Sequence, residues 1–398
     1  MKKFSFLILA GLVIVLTGST LSAAQAQESL DSMLRPYLAK YELPSLAAAV
    51  AKEGKIVCAG AVGTRRYGEN IPVTIHDRYH LGSDTKAMTA VMVAMLVDQG
   101  KLRWNTPMGE IFPELAASMD PAFKGITVEQ LLSQTSGMPS DNTSKESEAY
   151  TRFMIDEVSY PQGNLDEIRY WLVGKWCGLP VPSKPGEKFE YSNLNYIIAG
   201  AIVEHIEKKS WDELIIEKVF NPLGLRNTGL GIQSSLGRVD APLGHAVVEG
   251  KIKCFLAGPR ADNPVVVGPA GIANMSVLDF VTWAGWNAGE GKRGPHLVRP
   301  ETLRKLHAPA VAIPAPKDAP LGTATVGKYA FGWGVVAVPW AAHPLLFHGG
   351  SNGLNFAEIC VDTEKDLGIV ILTNMGGKNA DAAVKEIQKE LYRKYGGK

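Results

Sequence analysis

The stretch Leu46-Ala47-Ala48-Ala49-Val50-Ala51-Lys52-Glu53-Gly54-Lys55-Ile56-Val57-Cys58-Ala59-Gly60-Ala61-Val62 decides the fold. Leu46 to Ala51 and Ile56 to Val62 are apolar runs of strand length, and Glu53-Gly54 between them supplies a turn, so the stretch predicts a hairpin. The far end of the chain mirrors it. Strand-like runs occur at Phe331 to Val338, Leu345 to His348, Asn355 to Val361 and Leu367 to Thr373. A last helix then carries Val384, Ile387 and Leu391 on one face, just as a short helix before the hairpin carries Leu30, Leu34, Leu38 and Tyr41. Strands from both ends bury their apolar faces most simply in one antiparallel sheet flanked by the terminal helices.

Between these ends, from His76 to Lys328, helical patches such as Leu131-Leu132, Tyr196 to Ile206 and Trp211 to Val219 are joined by Pro and Gly loops. The chain also exceeds the roughly 250 to 300 residues that a single core organises, so two lobes are expected. The reading is an α/β (α+β) fold. Residues 27–75 and 329–398 form a sheet lobe, residues 76–328 a large, mostly helical lobe inserted into it, and an active site lies in the cleft between them.

Lys2 and Lys3 precede an apolar run from Phe6 to Leu16, and the small-residue pattern Ala24-Gln25-Ala26 follows, which reads as an export signal over residues 1–26. The run is shorter than the roughly 20 residues of a membrane-spanning helix, so no stable span is expected after its removal. Ser19 stands where a lipoprotein would place cysteine. A periplasmic or secreted location is expected. The formal net charge of +1, with interspersed signs, offers no basic stripe for nucleic acid and no acidic tail. Cys58, Cys177, Cys254 and Cys360 are too few and too scattered for a disulfide framework and are expected to be unpaired small core residues.

Three patterns carry chemistry. Ser83-Asp84-Thr85-Lys86 follows Gly82 and opens Ala87 to Val97, a run apolar on every side, which describes the start of a buried helix. Residues three apart share a helical face, so Lys86 reaches the Ser83 hydroxyl, and a buried lysine tends toward its neutral, basic form. A capping box would place Glu or Gln at the fourth position, where this chain has Lys86. Tyr191-Ser192-Asn193 precedes another helical run; a tyrosine beside a cationic lysine can pass protons, and Asn193 can bond both Lys86 and a substrate amide. His348-Gly349-Gly350-Ser351 ends a strand-like run. Its glycines let a substrate backbone lie along the strand, and the Ser351 and Ser83 N–H groups can form an oxyanion hole.

Together these resemble the S-x-x-K, Y-x-N and K/H-x-G signature of the β-lactamase-related serine hydrolases, which include class C β-lactamases, penicillin-binding DD-peptidases, D-aminopeptidases and esterases. The resemblance extends to Ile126-Thr127-Val128-Glu129-Gln130-Leu131-Leu132-Ser133-Gln134-Thr135-Ser136-Gly137, Phe220-Asn221-Pro222-Leu223-Gly224-Leu225, Pro269-Ala270-Gly271-Ile272 and Asp366-Leu367-Gly368-Ile369-Val370-Ile371-Leu372-Thr373-Asn374, in order along the chain. It implies Ser83 as acylated nucleophile, Lys86 and Tyr191 as the acid/base pair, and Asn193, His348, Gly350 and Ser351 as substrate and oxyanion ligands. It also implies a small-molecule or peptide substrate (β-lactam, D-amino-acid peptide or ester) and no cofactor or metal. His348 replaces the lysine that dedicated β-lactamases usually carry, so the peptidase, amidase and esterase branches are the nearer likeness. The rival expectation is a penicillin-recognising or peptidoglycan-binding protein that is acylated with little turnover.

Two other signals are weaker. His76 and His80 are four apart, but they lack the glutamate of H-E-x-x-H and lie in a segment that reads as extended. Gly291-Lys292-Arg293 lacks the remaining marks of a phosphate loop. The loop from Ser140 to Pro185 is expected to set substrate choice.

Overall fold

The computed structural model describes residues 28–140, 165–258, 261–315 and 325–397. The expected export signal and residues 141–164 of the long loop lie outside them. Among the described residues, nine strands make one sheet. They are β1 (Glu28–Ser29), β2 (Ser45–Lys52), β3 (Lys55–Gly63), β4 (Val311–Pro314), β5 (Thr325–Tyr329), β6 (Gly334–Val336), β7 (Leu345–Ser351), β8 (Phe356–Asp362) and β9 (Leu367–Thr373). Their order is β1-β3-β2-β9-β8-β7-β6-β5-β4. The pairs are antiparallel except for β1, which runs parallel to β3. The two ends of the chain meet at the middle, where Ala49 faces Val370 and Ala48 faces Ile371.

Five helices frame the two cores: α1 (Asp31–Lys40), α2 (Thr85–Asp98), α3 (Asn193–Glu207), α4 (Val277–Ala288) and α5 (Lys378–Tyr395). Side chains alternate across a strand, so β2 and β9 feed two cores. Leu46, Ala48, Val50, Ile369 and Ile371 pack with Leu34 of α1 and with Val384, Ile387 and Leu391 of α5. Ala47, Ala49, Ala51, Val370 and Leu372 turn the other way, into the larger core that contains α2, α3 and α4. Small residues let α4 sit directly on the sheet. A Cβ on Gly368 would come within 2.7 Å of the Ala284 Cβ, and one on Gly285 within 3.1 Å of the Ala51 Cβ.

The sheet is larger than the sequence reading drew it, since β4 and most of β5 precede residue 329. Val311-Ala312-Ile313-Pro314 is short, alternates between half-buried and exposed, and ends in proline, the marks of an edge strand whose apolar signal is weak. In the inserted region α2 is buried on nearly every residue from Thr85 to Ala94. Alongside it, Arg169 of the helix Leu165–Trp176 is fully buried and bonds Glu204 of α3 and, at 2.7 Å, Asp212. No helix among the described residues is long and apolar enough to cross a membrane. All four cysteines are free thiols.

Candidate active site

A small sheet delivers the chain to the head of α2. Arg78–His80 pairs with Ala273–Ser276, and the next amide, that of Leu81, donates to the Ala273 carbonyl at 2.8 Å. A single 3-10 turn, Gly82–Asp84, then leads into α2. Gly82 has a φ of +51°, its N–H donates to His80 Nδ1 at 3.0 Å, and its carbonyl accepts from the Thr85 hydroxyl at 2.7 Å. His80 Nε2 lies 2.7 Å from Asp262 Oδ1, so this ring is committed inside the protein and His76 does not share a helical face with it. Ser83 is left half-buried at the helix head, and Lys86 follows one turn later, completely buried.

The Lys86 amine is held by three acceptors. Its Nζ is 3.0 Å from Ser83 Oγ, 2.6 Å from Asn193 Oδ1 and 2.8 Å from the Ala270 carbonyl. Two of these, an amide oxygen and a backbone carbonyl, can only accept, so they claim two Lys86 hydrogens in either protonation state. Ser83 Oγ is the remaining partner among these three: as an ammonium Lys86 donates to the serine oxygen, and as an amine it can receive the serine proton.

Asn193 is brought to Lys86 by the turn around Gln134, whose φ is +61°. Gln134 Oε1 accepts from the Ser192 N–H at 3.0 Å and from Asn195 Nδ2 at 2.6 Å, and Ser136 Oγ donates to Asn195 Oδ1 at 2.5 Å. The first turn of α3 is thereby fixed, and the Tyr191 ring comes to 4.8 Å from Lys86 Nζ, measured to the ring centroid.

The third element reaches the serine through its backbone. A Cβ on Gly350 would fall 1.8 Å from the Leu81 carbonyl oxygen and 2.7 Å from the Ser83 nitrogen; one on Gly82 would fall 2.3 Å from the Ser351 nitrogen. Only glycine at both positions permits this crossing, which sets the Ser83 and Ser351 amides beside one another. His348, expected as a substrate ligand, has its ring turned into the protein. It is buried, with Nε2 at 3.2 Å from the Tyr329 hydroxyl and Nδ1 at 3.0 Å from the Gly349 carbonyl. Burial, helped by the neighbouring Lys86, pushes its pKa down to about 3, so the ring is neutral at physiological pH.

The structure thus gathers Ser83, Lys86, Tyr191 and Asn193 around one amine, with Gly350 and Ser351 against the serine turn. Sequence reasoning missed Ala270 as a ligand because a carbonyl leaves no side-chain mark, although Pro269-Ala270-Gly271 belongs to a phrase already noted. It also gave no role to Gln134, Asp84 or Tyr329. Asp84 was legible as an acid at a helix start, where a cap is the ordinary reading, yet the structure gives it no capping bond.

A family model described as Beta-lactamase matches residues 30–394. Protein flp of Staphylococcus aureus (strain NCTC 8325 / PS 47) is 23% identical over 374 residues, covering 92% of this chain but 66% of flp, so the chain spans about two thirds of that relative. Penicillin-binding protein 4 of Amycolatopsis lactamdurans is 27% identical over 355 residues, covering 89% of this chain and 85% of that protein. The solved D-amino acid amidase of Ochrobactrum anthropi SV3, complexed with L-phenylalanine amide, superimposes with a TM-score of 0.69 at 18% identity, covering 91% of this chain and 96% of the amidase.

Proposed function

Because this chain belongs to the beta-lactamase family, we propose that it is an exported serine hydrolase that cleaves an amide or ester through an acyl-enzyme on Ser83. The observation that carries the reading is the buried Lys86 amine, whose Nζ lies 3.0 Å from Ser83 Oγ. Ser83 loses its proton through Lys86 and Tyr191 and attacks the carbonyl. Backbone N–H groups of Ser83 and Ser351 hold the oxyanion, and the leaving group departs with a proton from Tyr191. Water then releases the acyl group by the reverse sequence. The neutral, buried His348 supplies no cation for an antibiotic carboxylate. That favours D-amino-acid amides, peptides or esters over β-lactams as substrates, in keeping with the amidase among the structural neighbours. Residues 1–26 support export, and the mass of protein recovered from outside the cytoplasm should correspond to a start near Gln27.

The test is turnover of a p-nitrophenyl ester, a D-amino acid amide and a penicillin by wild type and Ser83→Ala, with intact mass followed in parallel. Hydrolysis and an acyl adduct in wild type alone support the reading; undiminished turnover in Ser83→Ala refutes it. A long-lived penicillin adduct without turnover would instead favour a penicillin-recognising protein, a possibility prompted by the relative named Penicillin-binding protein 4.

A further inference from the structure

Asp84, between the serine and the lysine, is fully buried, and neither of its carboxylate oxygens has a hydrogen-bond partner. The His348 ring faces it, with Nδ1 3.4 Å from Asp84 Oδ1. A lone carboxylate in such a place is costly, so it must hold a proton or share one. Burial does raise the Asp84 pKa; Glu358 of β8 raises it further, and Lys86 opposes them. The Tyr329 hydroxyl of β5 closes the other side of the imidazole.

The two partners sit on the two backbones that cross at the serine. Asp84 belongs to the Gly82–Asp84 turn, and His348 is on β7, two residues before Gly350. We propose that Asp84 and His348 form an uncharged clasp that pins the serine turn to β7, keeping the Ser83 and Ser351 amides in the spacing an oxyanion requires. Asp84 keeps its proton on Oδ2; the Nδ1–H of His348, which donates to the Gly349 carbonyl, also faces Asp84 Oδ1, and Nε2 accepts from the Tyr329 hydroxyl. Both groups are then neutral, so the clasp holds without a buried ion. Asp84 is on this account a positioning residue, acting through the amides beside it.

The role in catalysis rests on the serine-hydrolase reading; the clasp itself does not, and the experiment separates the two. Imidazole ¹⁵N NMR is recorded from pH 4 to 8 on Ser83→Ala, assigned by a His348→Gln control. A His348 ring that stays neutral throughout, and whose Nδ1 signal moves on adding Asp84→Asn, supports the clasp. A ring titrating near the ordinary value, or one indifferent to Asp84→Asn, overturns it. Ester hydrolysis by Asp84→Leu and Asp84→Asn then tests positioning. A misplaced reacting geometry costs about 100-fold, so kcat should fall by that order in Asp84→Leu with KM within a few-fold, and Asp84→Asn, which can still bond the imidazole, should recover most of it. Equal kcat in wild type and Asp84→Leu overturns the positioning role. Should Asp84→Leu not fold, Asp84→Asn decides: its kcat must stay closer to wild type than that of Ser351→Pro, which removes a hole amide. Absence of ester turnover or a Ser83 adduct in wild type would count against the hydrolase reading while leaving the NMR result standing.

Discussion

Gly82 and Gly350 meet where no side chain fits: a Cβ on the first would lie 2.3 Å from the Ser351 nitrogen, and one on the second 1.8 Å from the Leu81 carbonyl oxygen. The contact is backbone against backbone, so nothing flexible can move aside.

Gly350→Ala must therefore push β7 away from the serine turn. Overpacking of this kind costs about 1 to 3 kcal/mol of stability, and displacement of one oxyanion donor costs on the order of 10² to 10³ in rate. Thermal unfolding and ester hydrolysis, measured together, should show a folded protein with a disproportionate loss of activity. Turnover within twofold of wild type would mean that the crossing does not serve the reaction.

Lys86→Met removes the amine that joins Ser83, Asn193 and Ala270. Loss of a positioned acid/base group typically lowers rate by about 10² to 10⁴, and a loss in that range is expected in kcat for ester hydrolysis. Asn193→Leu keeps the amine and removes one acceptor, so its defect should be smaller. A larger defect in Asn193→Leu would point to a direct part for the asparagine in the chemical step.

His307 is buried with Nε2 at 3.1 Å from Asn287 Oδ1, and burial lowers its pKa from 6.5 to about 3. The folded protein keeps this ring neutral while the unfolded chain protonates it. Its contribution to stability is complete above about pH 6.5 and declines as pH falls toward 3, by up to about 1.4 kcal/mol per pH unit for one proton. Glu204 and Glu358 act in the opposite sense: burial raises each to about 7, so stability due to them declines as pH rises from 4.5 toward 7. Urea unfolding at pH 4 and pH 7 should show a smaller acid loss in His307→Gln than in wild type; identical losses would contradict a neutral buried ring.

Arg169 is buried against both Glu204 and Asp212. Breaking a buried pair from one side leaves an uncompensated charge and costs about 3 to 5 kcal/mol, so Arg169→Met should lower stability by that order. Adding Glu204→Gln should restore part of it, because the carboxylate that lost its partner is then gone. Denaturant midpoints of the two variants check both statements.

The parts of this molecule legible in its sequence are those whose signal is local. The Glu53-Gly54 hairpin, the apolar run after Lys86 and the face of α5 each follow from periodicity within a few residues, and they placed both the sheet and Ser83. Edge strand β4 was not legible, because an edge needs little apolar content and its partner strand supplies the rest. His348 was legible as a position but not as a role. Motif spacing puts it beside the serine, whereas the packing of Tyr329 and Asp84 decides that its ring turns inward. Ala270 contributes only a carbonyl, and Gln134 acts through a left-handed backbone that no residue type advertises.

The pairing of β2 with β9 joins residues near 50 to residues near 370, and it has a consequence for synthesis. Ser83 and Lys86 leave the ribosome well before β7, which carries the second amide. At roughly 5 to 20 residues per second the interval is some tens of seconds. Throughout that time the nascent chain holds its serine and lysine without the strand that would stabilise an oxyanion. The central sheet pairing also closes a very long loop, which places it late in folding. If Ser83 acts as proposed, a chain interrupted before β7 would lack the second amide that β7 sets beside it.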